Sequence, residues 1–84
     1  MTYDPDFITP PGETLRELLA EKGWSIGRLM SENSGFRKEE LINILSGKIG
    51  VSPETASMLE KALGTPKVFW IQRTEKWLKK NNPY

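Results

Sequence analysis

Residues 25–48, SIGRLMSENSGFRKEELINILSGK, read as two short helices joined by a tight turn. Ser25 is placed to cap the first helix by accepting a hydrogen bond from an amide two or three residues on, and Leu29 and Met30 give that helix an apolar side. Asn33, Ser34 and Gly35 interrupt it, and Gly35 is the residue expected to take a positive φ at the reversal. In the second helix Leu41, Ile44 and Leu45 fall at i, i+3 and i+4 and so share one face, while Arg37, Lys38, Glu39, Glu40 and Asn43 point elsewhere. Gly47 is expected to close it as a left-handed cap. The same periodicity also fits a plain αα-hairpin in a small bundle, whose apolar stripe is core and nothing more.

The flanking segments supply supports for this pair. Pro10 and Pro11 announce an earlier helix, because proline suits a first turn whose amides have no intrahelical acceptor. Leu15, Leu18 and Leu19 form its buried face, Glu13 and Lys22 match the two ends of the helix dipole, and Gly23 stops it. Trp24, just ahead of the Ser25 cap, is placed to pack back on the next helix as a hydrophobic staple. On the other side, Ser52 as cap, Pro53 as first residue and Glu54 in the first turn open a fourth helix, with Ala56, Leu59 and Leu63 as its stripe, widened by Met58 and Ala62. Gly64 ends it. Thr65 and Pro66 then repeat the cap-and-proline signal for a fifth helix, KVFWIQRTEKWLKK. Its apolar residues, Val68, Phe69, Trp70, Ile71, Trp77 and Leu78, spread around the cylinder, more than one small core needs. This predicts an all-α, five-helix domain over residues 10–80 with a C-terminal dimerisation helix, an N-terminal arm over 1–9 carrying Tyr3, Phe7 and Ile8, and a tail over 81–84. Leu15, Leu18, Leu19, Leu29, Leu41, Ile44, Leu45, Leu59 and Leu63 are the expected core, and Phe69, Trp70, Trp77 and Leu78 the expected dimer contacts.

With 84 residues the chain is near the size at which a single core supplies only a few kcal/mol without a disulfide, a metal or a partner. It has no cysteine, hence no disulfide framework or thiolate site, and no histidine, the commonest general base and metal ligand. Glu39 and Glu40 are the one adjacent pair of carboxylates, and neighbouring helix positions diverge by about 100°, so the two cannot easily share a proton. No cofactor and no catalytic role is expected. The N-terminus has neither a basic nor an apolar leader region, and no stretch approaches the ~20 apolar residues of a membrane span, so a cytoplasmic, membrane-free protein is expected. Net charge is only +1. Its distribution is uneven: residues 1–32 carry six acids and three bases, residues 33–84 five acids and nine bases. One surface is thereby suited to phosphate and another to a basic partner.

The run PPGETLRELLAEKGWS, the SGK after the second short helix, SPETASMLEKALGT and the following FW together resemble the HigA-type antitoxin branch of the phage-repressor-like (XRE) helix-turn-helix family. The likeness covers about residues 10–72, and its specificity lies in the order and spacing of motifs that are individually weak. What the resemblance implies is a second helix that enters the major groove of a double-stranded DNA operator, with Lys38, Glu39 and Asn43 toward bases, Arg37 and Lys48 toward phosphate, and Ser25 as a further DNA-binding residue. The residue types suit such work, since lysine donates to guanine, glutamate accepts from cytosine N4 and asparagine pairs with adenine. It further implies a homodimer on a palindromic operator that also holds a cognate toxin, in this family typically an RNase. Three departures lie inside the motif: Ile26 where a polar residue is usual, the acids Glu39 and Glu40 beside the DNA, and a turn one residue longer than usual. Ile42, expected to be exposed, is apolar. A second reading therefore stands beside the first: a helix-turn-helix fold, for example phage-encoded, that regulates a protein partner and has no DNA readout.

Overall fold

The computed structural model describes residues 9–81, so the expected arm contacts of Tyr3, Phe7 and Ile8 and the tail residues Asn82, Pro83 and Tyr84 lie outside the described residues. Five helices follow one another: α1 (Pro11–Lys22), α2 (Ile26–Ser31), α3 (Lys38–Leu45), α4 (Pro53–Leu63) and α5 (Lys67–Asn81). No strand occurs among the described residues, and no helix among them is long and apolar enough to cross a membrane.

Local chemistry sets the helix boundaries. Ser25 Oγ accepts from the Arg28 amide at 3.1 Å, and Ser52 Oγ accepts from the Thr55 amide at 3.2 Å. Each bond satisfies one of the amides that a helix start leaves without an intrahelical acceptor. α1 needs less, because Pro11 in its first turn has no amide hydrogen to satisfy. α5 begins at Lys67, directly after the Thr65–Pro66 signal, and the Lys67 amide donates to Glu60 Oε2 at 3.2 Å. A carboxylate from the end of α4 thus serves the start of α5. At the end of α3, Gly47 (φ 81°) donates to the Ile44 carbonyl at 3.1 Å and Lys48 donates to the Asn43 carbonyl at 2.9 Å. This pair of bonds is the Schellman closure, and the positive φ it demands of the residue past the cap is the reason for glycine there.

α1 lies across α3 and also touches α5, α2 packs on α3, and the most extensive packing in the molecule runs between α4 and α5. The α1–α3 crossing is close because Gly12 has no side chain. A Cβ there would overlap the Ile44 carbonyl oxygen and stand 2.6 Å from its carbon. Four residues further along α1, the Arg16 guanidinium donates to the Leu45 carbonyl at 2.5 Å, one of the acceptors that the end of α3 leaves over. The hydroxyl of Thr74 in α5 accepts from the Val51 amide at 3.0 Å and so anchors the α3–α4 connection.

The core comprises Leu15, Leu19, Leu29, Phe36, Leu41, Ile44, Val51, Ala56, Leu59 and Trp70. Leu18, Leu45 and Leu63, expected in the core, are half-buried and pack against it. Trp70 requires a larger correction. Assigned from its pattern to a dimer surface, it is fully buried in its own chain, with the Phe69 ring edge-on at 5.2 Å. An 84-residue domain has few ways to fill the space between α1, α4 and α5, and one indole does so. Val68, Phe69 and Leu78 remain exposed, whereas Ile71 and Trp77 are half-buried.

Leu41→Ala should cost about 2–5 kcal/mol and Leu45→Ala distinctly less, because only Leu41 leaves a closed cavity. Gly12→Ala, ordinarily a gain of about 1 kcal/mol inside a helix, should instead destabilise by roughly 1–3 kcal/mol through overpacking. Urea unfolding followed by circular dichroism checks all three, and a stabilising Gly12→Ala would contradict the close crossing.

Candidate nucleic-acid interface

Eight residues of α3 divide into two sides. Leu41 and Ile44 face α1 and the core, while Lys38, Glu39, Ile42 and Ser46 are exposed and Asn43 is half-buried. At about 100° per residue, Lys38, Ile42 and Ser46 form one row on the outward side and Glu39 and Asn43 the next. Arg37 occupies the cap position in extended conformation (φ −110°, ψ 127°), makes no side-chain cap bond and is exposed. Lys48 is exposed at the other end, where its amide takes part in the Schellman closure.

Between this side of α3 and the first turn of α4 runs an open groove of about 720 Å³. Arg37, Lys38, Glu39 and Asn43 line it together with Ile49 and Glu54. Four of the six residues that sequence reasoning singles out for DNA therefore border one space, with Lys48 just outside. Ser25 stands elsewhere, at the start of α2, where its oxygen is engaged by the Arg28 amide and its hydroxyl remains exposed. Beside it the Trp24 ring is flanked by Lys22 Nζ at 5.3 Å and the Arg28 guanidinium at 5.0 Å from its centroid. Arg28 also pairs with Glu32 at 3.5 Å, one turn along α2. Trp24 packs against the core beneath.

Glu40 behaves differently from its neighbour. Expected to stand with Glu39 as a second negative charge in front of the helix, it is half-buried, and the Thr55 hydroxyl donates to its Oε2 at 2.6 Å. The Ser52 hydroxyl in turn donates to Thr55 Oγ1 at 3.1 Å. This chain joins the first turn of α3 to the first turn of α4, and Glu40 is a tether at the floor of the groove. The exposed charge around α3 is then Arg37, Lys38 and Lys48 against Glu39 and Glu54.

The α2–α3 turn also departs from expectation. Gly35 does not adopt a positive φ, which among the described residues occurs at Gly23, Gly47 and Gly64. The reversal is made instead by Asn33, whose Oδ1 accepts from the Gly35 amide at 2.8 Å and whose carbonyl accepts from the Phe36 amide at 3.2 Å. Such a side-chain-closed turn needs no left-handed residue. Gly35 provides room: a Cβ there would come within 2.8 Å of Met58 Sδ. Phe36, directly after it, is buried and fixes the turn to the core.

Sequence reasoning misses Ile49 and Glu54 as groove residues. It assigns Glu54 only to the dipole of α4, and nothing in the spacing reveals that this first turn opens toward α3. Ile49 does leave a signal, a large aliphatic residue between a lysine and a glycine in a connection. Among the described residues no three of His, Cys, Asp and Glu are grouped so as to hold a metal ion. The chain matches no protein-family model and no curated protein.

Removing the tether tests its structural role. Glu40→Ala should destabilise by about 1–3 kcal/mol, the range for leaving a buried hydroxyl without its charged partner, whereas Glu39→Ala should stay within about 0.5 kcal/mol. Urea unfolding of the two variants, with Thr55→Val to close a double-mutant cycle, measures the coupling directly.

Proposed function

We propose that α2 and α3 form a helix-turn-helix of the phage-repressor-like class and that the protein is a HigA-like antitoxin and autorepressor, binding a palindromic operator as a homodimer and holding a cognate RNase toxin. One observation carries the DNA reading. Lys38, Glu39 and Asn43, the residues that the family resemblance assigns to bases, border a single open groove on the outward side of α3, with Arg37 at its mouth. α3 offers these groups from a rigid base, since its buried face is packed and its two ends are held by Arg16, the Schellman closure and Glu40. In this reading the outward face of α3 lies in the major groove and Arg37 and Lys48 meet phosphate. Dimerisation brings two copies of α3 about 34–36 Å apart, one turn of B-DNA. The exposed Val68, Phe69 and Leu78 of α5 supply its apolar contact, while Trp70 has no part in it.

Glu54 favours a second reading. With Glu39 it places two exposed carboxylates at the groove, beside the tethered Glu40 at its floor, where phosphate is repelled and a basic side chain is attracted. A helix-turn-helix-fold regulator that holds a protein partner and reads no DNA follows from that feature.

Mobility shifts on DNA from upstream of the gene separate the two. Lys48→Ala should weaken operator and random DNA alike and lower the slope of log K against log salt by about 1 for each phosphate that is no longer neutralised. Asn43→Ala should cost about 1–3 kcal/mol on the operator with little change on random DNA. Glu39→Gln should lose specificity while raising non-specific affinity, because a charge that repels phosphate has gone. If all three variants behave as wild type, the second reading stands. Leu78→Asp should yield monomers in sedimentation, and a wild type that is already monomeric at tens of micromolar would remove the dimer.

A further inference from the structure

Five large apolar side chains are exposed among the described residues: Val68, Phe69 and Leu78 on α5, and Ile42 and Ile49 on the α3 side. The second pair is unexpected on chemical grounds. Ile42 is 43% exposed and stands in the middle of the outward side of α3, one turn from Lys38 in one direction and from Ser46 in the other. Ile49 is 39% exposed and lines the groove beside Asn43, whose carbonyl accepts from the Ile49 amide at 3.4 Å. Neither residue is needed by the core, which is closed beneath α3 by Leu41 and Ile44. A face built only for phosphate would carry cations or small polar groups at these points.

A major groove presents one apolar group to a protein, the C5-methyl of thymine, among the donors and acceptors of the other base edges. We infer that Ile42 and Ile49 are thymine-reading residues, which makes the preferred half-site one in which T·A pairs accompany the positions read by Lys38, Glu39 and Asn43. This rests on the DNA reading above and goes beyond it by assigning base identity to apolar contacts. The mixture is chemically suited to the task. Hydrogen-bonding groups on either side hold the helix in register, and a branched aliphatic chain between them covers a methyl without leaving a buried polar group unpaired.

The test isolates a methyl group. A duplex library with about 20 randomised base pairs, the span of two half-sites one turn apart, is selected with the wild-type protein, and the recovered duplex is remade with deoxyuridine in place of thymidine, one position at a time. Base pairing and every hydrogen-bonding edge are kept; only the methyl is removed. Affinity should fall about fourfold at each thymine in contact, the cost of exposing one methyl group. Ile42→Ala and Ile49→Ala should each abolish the uracil effect at their own position and leave it at the other. Both sites are exposed, so both variants should melt as wild type does. A wild type that binds the selected duplex and tolerates uracil everywhere overturns the inference and leaves the DNA reading intact. So does a uracil effect that survives both alanine variants, or a pair of variants that change sedimentation and not DNA affinity. Recovery of no duplex from the library defeats the DNA reading itself, and this inference with it.

Discussion

The arrangement depends on how closely α1 can approach the backbone of α3. Gly12 is buried against the Ile44 carbonyl, and any side chain there would hold the two helices apart. Close backbone contact lets Leu15 and Leu19 reach the core from α1 while Leu41 and Ile44 reach it from α3. It also brings Arg16 within bonding distance of the Leu45 carbonyl. The orientation of α3, and with it the direction in which its polar side points, follows from a missing methyl group on a neighbouring helix. Glu40 and Thr55 fix the same helix from its other side. α3 is thereby restrained from two directions by groups of different kinds, one steric and one polar.

The elements legible in the sequence are those whose signals are local. Ser25 and Ser52 cap the helices they precede because each hydroxyl needs only an amide three residues away. The apolar spacing of α1, α3 and α4 is readable for the same reason: i, i+3 and i+4 belong to one turn of one helix. What depends on another element is not legible. Trp70 and Leu78 both belong to the apolar pattern of α5, yet one fills the interior and the other is exposed, because α1 and α4 pass over only one side of α5. Glu39 and Glu40 are adjacent and chemically identical, and the approach of Thr55 separates them into an exposed charge and a tether. Gly35 reads as a backbone necessity because glycine most often is one at a turn. Asn33 supplies the turn, and the space near Met58 accounts for the glycine.

Of the candidate site, the polar residues on α3 follow from the helix period alone, since the side opposite Leu41 and Ile44 must face outward. Its second wall does not. Ile49 and Glu54 come to the groove from the connection to α4 and from that helix's first turn, and their approach is set by the bond from Val51 to Thr74 in α5, some twenty residues on. The balance of charge in the groove is accordingly a property of three helices. A nearly neutral chain can still offer a cationic rim, with Arg37 and Lys48 at the two ends of α3, even though the wall opposite is acidic.

The division of α3 into restrained and unrestrained residues bears on how such a protein changes over generations. Gly12, Glu40, Leu41 and Ile44 are committed to the frame, and a substitution at any of them disturbs packing or a bond between helices. Lys38, Glu39 and Ile42 are exposed side chains on which no frame contact depends, and the Schellman closure at Asn43 uses its backbone carbonyl and leaves its side chain out. Mutation can therefore exchange the outward face almost residue by residue at little cost in folding. Duplicated copies of the gene would be free to diverge in what they recognise while inheriting the same scaffold, and drift in a partner's contact surface could be followed by single substitutions at Lys38, Glu39, Ile42 and Asn43.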